Sequence, residues 1–202
     1  KGDALTYAEA AIARLAAFSP HPGTYTSLGF SPRGSNVSDK DIESAFSAVG
    51  VGAAWATLAT ITHEIGGGIV SLKGNYKNLA RTRHRSAHNA TYNLPTGDLI
   101  THSRTASVLG VSVSILTKTV GNVFRAATTA GHINRNLGLE PRHYRFLDEE
   151  VSGTWIERVE ASGRPLKRYS DRSAALTGAR ARGGRRIIVL RNTSLVPVGT
   201  AG

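Results

Sequence analysis

The chemistry of this chain concentrates between Leu79 and Asn89. Three arginines, Arg81, Arg83 and Arg85, and two histidines, His84 and His88, stand within eight consecutive positions. A guanidinium presents a rigid fork of N–H donors that matches the oxygens of a phosphate. An imidazole exchanges a proton near neutral pH. Together they supply what metal-free cleavage of an RNA strand needs. A base removes the 2′-hydroxyl proton, and a cation stabilises the charge that builds on the phosphorus oxygens. The same residues also suit plain phosphate contact, or a solvated helix end whose cations complement the helix dipole.

These residues must be carried by helices. Leu72, Tyr76, Leu79, Arg83 and Ala87 recur at steps of four, three, four and four, which predicts a helix over about 70–88. Asn93, Pro95 and Gly97 break it. A second long helix is predicted over 98–130, where Leu109, Val113, Leu116, Val120, Val123 and Ala127 form one apolar stripe. Its many β-branched residues mean that packing, not propensity, must hold it. Upstream, residues 4–18 read as an alanine-rich helix, 19–37 as a long loop, and Ser38 as an N-cap followed by acidic Asp39, Asp41 and Glu43. A further apolar stretch, Ala53 to Ile65, stops at Gly66-Gly67-Gly68, which reads as a helix break or hinge. It lacks the lysine and preceding strand of a phosphate-binding loop. His63 and Glu64 are not a metalloprotease pair, because Gly67 stands where the second histidine belongs. Trp55 and Trp155 are expected as core or interface anchors.

Set on that helix, Arg83-His84-Arg85-Ser86-Ala87-His88 resembles the Arg-x4-6-His signature of the HEPN superfamily, in the form Arg-[Asn/His]-x-x-Ala-His. The resemblance spans roughly residues 38–130. It implies a helical bundle in which Arg83 orients the scissile phosphate, His88 acts as general base or acid, and His84 occupies the assisting polar position. It also implies metal-independent cleavage, with no cofactor and no metal site, and a homodimer whose two motifs face each other. Geometry leaves the arginine open. Five residues of regular helix turn through about 500°, so Arg83 and His88 point roughly 140° apart. They converge only if the helix ends early or a partner chain completes the site. If the helix stays regular, Arg81, which shares a face with Arg85 and His88, is the better catalytic arginine.

Composition widens the case. Lys plus Arg number 25 against 14 acidic residues, a net charge of +11. Such an excess favours a polyanion, with nucleic acid first and a membrane surface second, over a mere solubility surface. The excess is spread evenly, +5 over residues 1–131 and +6 over 132–202. With no cysteine, disulfides, thiolate metal sites and cysteine nucleophiles are excluded. No run of about 20 apolar residues is evident, so neither a membrane span nor a membrane partner is expected, and the cytoplasm is the expected location. Residues 132–202 lose the helical period. Strands are predicted at Thr154–Val159 and Arg186–Arg191, with an Arg- and Gly-rich loop over 162–184 between them. That stretch is either an RNA-binding arm or a surface loop.

The expected fold class is therefore mainly α. An HEPN-like helical domain occupies 1–131 and a small, basic β-containing extension 132–202. The expected function is a metal-independent endoribonuclease of a toxin–antitoxin or antiviral defence system, working on RNA with an antitoxin or larger complex as possible partner. The alternatives are a non-catalytic RNA-binding or scaffolding subunit, and a subunit of a larger enzyme. Arg81, Arg85, Asn89, Arg182, Arg185 and Arg186 are the expected RNA contacts beside Arg83, His84 and His88.

Overall fold

The structure is a computed structural model that describes residues 37–89, 91–126, 142–183 and 186–201. The helix expected at 4–18, most of the loop after it, the last turn expected for the long helix, and Arg185 lie outside the described residues.

Four described helices precede a sheet: α1 (Asp39–Ala48), α2 (Ala54–Glu64), α3 (Leu72–His88) and α4 (Thr96–Ala126). Ser38 caps α1 as its sequence predicts. Its hydroxyl accepts the Asp41 backbone N–H while the Asp41 carboxylate accepts the Ser38 backbone N–H, a reciprocal capping box. The Ser38 hydroxyl also donates to that carboxylate at 2.7 Å, and this bond with the backbone N–H bond holds the Asp41 carboxyl below its ordinary range. Phe46, Trp55, Leu58, Ile61, Leu72, Ile115 and Leu116 form the centre of the helical core. Trp55 is anchored by its indole N–H, which donates to the Asp39 carbonyl at 3.0 Å, and by the Tyr76 ring at 5.5 Å.

The mainly α expectation is wrong. Residues 142–201 build a five-stranded mixed sheet with its own helix, so the fold is mixed α/β. Strands β1 (Tyr144–Glu149), β2 (Trp155–Arg158) and β3 (Pro165–Tyr169) form an antiparallel meander. Helix α5 (Arg172–Gly183) then returns the chain so that β4 (Ile187–Arg191) lies parallel to β1, and β5 (Pro197–Ala201) closes the order β3-β2-β1-β4-β5. The expected loop over 162–184 is instead β3 and α5. Asp171 caps that helix by accepting the Ala174 N–H at 2.9 Å.

The reason lies in alternation. Along β1, Tyr144 and Phe146 enter the helical core, while Leu147 faces α5 with Trp155, Ala175, Ala179, Ile188 and Leu190. Interleaved with them are charged residues that are also buried: Arg145, Asp148, Glu157 and Arg191. Arg145 and Asp148 disguise β1 as surface, whereas β2 and β4 stand where strands were expected. Arg191 grips Asp148 through two N–H bonds of 2.7 and 2.8 Å, and Arg158 donates to the same carboxylate at 2.9 Å. On the other face Glu157 pairs with Arg145 and Arg182 and accepts from the Tyr169 hydroxyl. A buried charge persists only when paired and hydrogen-bonded in this way.

Because Tyr144, Phe146 and Val189 join the helical residues in one core, the helices and the sheet are packed together. Helix α4 is central to that packing. Its length and apolar composition would suffice to cross a membrane. Here Val108, Leu109, Val111, Ile115, Leu116 and Val120 are buried in the protein, and Ser112 hydrogen-bonds Thr62 at 2.9 Å inside it. The glycine triplet ends α2 at a close approach. A Cβ on Gly67 would stand 2.6 Å from a Val108 methyl and 2.9 Å from the Thr62 carbonyl oxygen. The triplet is thus a packing turn.

Candidate nucleic-acid interface

Helices α3 and α4 form a hairpin whose outer end carries the Arg/His cluster. Thr82 and His102 join the two arms, with 3.2 Å between the hydroxyl and the ring Nε2. Beyond that bond the arms are exposed, and so are Leu99 (56%) and Ile100 (65%) on α4.

Helix α3 is continuous to His88 and stops at Asn89, whose backbone N–H donates to the Arg85 carbonyl at 2.9 Å. The regular helix therefore divides the cluster. At about 100° per residue, Arg83 falls on the side of Leu72, Tyr76 and Leu79, which pack on the protein, although Arg83 is itself exposed. It stands near enough to the Tyr76 hydroxyl for its charge to favour the phenolate, although burial and the Asp41 and Asp39 charges prevail and raise that phenol. Arg81, His84, Arg85 and His88 fall on the opposite side, within an arc of about 100°. All four are exposed. The rings of His84 and His88 meet edge to face at 4.4 Å, one turn apart. None of the salt bridges among the described residues includes any of these four side chains.

The motif is thus presented as a face, and Arg83 and His88 do not converge within one chain. Asn89 shapes the turn that follows. Its side-chain oxygen accepts the Thr91 backbone N–H at 3.1 Å and the Thr91 hydroxyl at 2.7 Å.

The C-terminal arginines expected to contact RNA behave differently. Arg182 lies against the Tyr169 ring and pairs with buried Glu157, so it fastens α5 to the sheet. Arg186 is exposed, but it lines a separate cleft beside the start of β1, on other elements than α3.

That cleft holds residues the sequence reading missed. Arg142, two residues before the start of β1, reaches back to the end of α2. Its Nε and Nη2 donate to the two Glu64 oxygens at 2.9 and 3.0 Å, and the Tyr144 hydroxyl donates to Glu64 at 2.6 Å. Burial, then the Glu64 hydrogen bond and charge, hold the Tyr144 phenol protonated far above its ordinary range. Arg142 and Tyr144 share the Arg-x-Tyr spacing of alternating strand residues, a signal too common to single them out.

Comparison with known protein families, with curated proteins and with solved structures found no match to this chain.

Proposed function

We propose that this protein is a basic RNA-binding module that lays the outward face of α3 against the phosphate backbone. The observation that carries the reading is the set of four exposed side chains, Arg81, His84, Arg85 and His88, on one side of a regular helix with no carboxylate paired to them among the described residues. Guanidinium groups one turn apart suit successive phosphate oxygens, and imidazoles beside them add donors that strengthen when protonated. The net charge of +11 supplies the long-range attraction. RNA is preferred to DNA because the motif resembles that of HEPN domains.

A second reading, catalysis of HEPN type, is favoured by one specific feature. Arg81 shares the exposed face with the touching His84 and His88 rings, and its separation from His88 fits the family's spacing. In that reading Arg81 replaces Arg83 as the phosphate-stabilising arginine, and a second copy of the chain supplies the opposing half.

One experiment separates the two. Purified protein is incubated with single-stranded RNA, duplex RNA and DNA in the presence of EDTA, and both complex formation and strand integrity are followed. Binding that weakens steeply with salt while the RNA stays intact supports the RNA-binding reading. Cleavage that survives chelation and vanishes in His88→Ala and Arg81→Ala establishes the catalytic one. Absence of salt-sensitive binding to any of the three rejects both.

A further inference from the structure

A cleft of about 370 Å³ with mixed polar and apolar walls opens between the end of α2 and the start of β1, its polar lining being Glu64, Arg142, His143, Tyr144, Glu160 and Arg186. That volume lies near the lower bound for small-molecule sites. Its central cation is incompletely satisfied. Arg142 has only 9% of its side chain exposed, and its side-on pair with Glu64 uses Nε and Nη2. Nη1 is buried and has no hydrogen-bond partner. A guanidinium carries five N–H donors, so a small shift of the side chain that opens Nη1 to the cleft lets it take a second anion while Nε and Nη2 stay on Glu64. Leaving such a charged donor unpaired in the interior costs free energy that a ligand oxygen would offset.

The rest of the wall indicates what that ligand is. His143 and Arg186 add two more cationic or donor groups at an exposed rim. Three such donors suit the three acceptor oxygens of a phosphate monoester better than the two of a carboxylate. Glu64 is already engaged by Arg142 and Tyr144, so its charge is locally compensated. Glu160, which enters no salt bridge among the described residues, offers an acceptor for sugar hydroxyls. We infer that this cleft binds a phosphate monoester borne on a hydroxylated group of nucleotide size, held by Arg142, His143 and Arg186. Free mononucleotides and the 5′-phosphorylated end of an RNA strand share that chemistry. The site stands apart from the outward face of α3, and its test is independent of RNA binding there.

The test is calorimetric titration of the full chain with adenosine 5′-monophosphate, with adenosine as control. A saturable site for the monophosphate but not for adenosine is expected. Arg142→Lys keeps a cation for Glu64 but removes Nη1. It should weaken the monophosphate at least about tenfold, the effect of losing one charged hydrogen bond. Arg186→Ala, which changes only an exposed side chain, should weaken it about threefold or more and decides the matter if Arg142→Lys does not fold. Arg81→Ala should leave it unchanged. Competition by a 5′-phosphorylated but not a 5′-hydroxyl oligoribonucleotide would assign the site to strand ends, and failure of both to compete would assign it to free nucleotides. No saturable monophosphate binding by the wild-type chain, or undiminished binding by both variants, would overturn the inference.

Discussion

The hairpin end and the sheet use the same residue type in opposite ways. On the sheet and its helix α5, Arg145, Arg158, Arg182 and Arg191 each meet a carboxylate, and two acids, Asp148 and Glu157, serve all four. On the outer face of α3, Arg81 and Arg85 meet none among the described residues. The halves of the chain carry nearly equal net charge, so the difference is not one of composition. It comes from where strand alternation and helix rotation put each side chain. Paired arginines hold the sheet to its helix, and unpaired ones leave positive potential facing solvent.

The largest effects are expected in the sheet. Glu157→Ala strands Arg145 in the interior, and loss of about 3–5 kcal/mol is expected in urea unfolding. Replacing Arg145 and Glu157 together by leucine should cost markedly less, because no unpaired charge of that pair remains. Next in size, Gly67→Ala forces a methyl against Val108 and the Thr62 carbonyl and should cost about 1–3 kcal/mol. Smaller and confined to alkali is the effect of Tyr144. Its phenol is raised in the folded state, so its contribution is complete below the unfolded value of about 10 and fades as pH rises above it. The thermal midpoint of the wild-type chain should therefore fall more steeply above pH 10 than that of Tyr144→Phe. Smallest of all in stability, Arg81→Ala and Arg85→Ala should shift unfolding by no more than about 0.5 kcal/mol.

The helical half was legible in the sequence because its signals are local. Ser38 with Asp41, the stripe of Leu72, Tyr76 and Leu79, and the Asn93-Leu94-Pro95 break before α4 all report their own structure. Of the sheet half only β2 and β4 were legible, as the strands expected at Thr154–Val159 and Arg186–Arg191. In Tyr144–Glu149 the apolar alternation is interrupted by Arg145 and Asp148, whose burial is possible only because Glu157 and Arg191 arrive from other strands. Helix α5 was concealed by arginines as well, although Asp171 ahead of Ser173, Ala174 and Ala175 was a usable start signal. At the candidate site, the residue types were visible and their directions were not. Only the unbroken helix through His88 decides that Arg81, and not Arg83, accompanies the histidines. The Arg142–Glu64 pair joins residues 78 positions apart and had no sequence signature.

In the proposed function the α3 face, not the sheet, contacts RNA. This is tested most directly by the salt dependence of RNA affinity in single charge-removal variants of equal stability. Each of Arg81→Ala and Arg85→Ala should lower the slope of log K against log salt by about 0.7 on single-stranded RNA, the value for one lost phosphate contact. The exposed sheet-edge variant Arg168→Ala should leave it unchanged. Slopes unaltered by the α3 variants but reduced by the Arg168 variant would contradict the account.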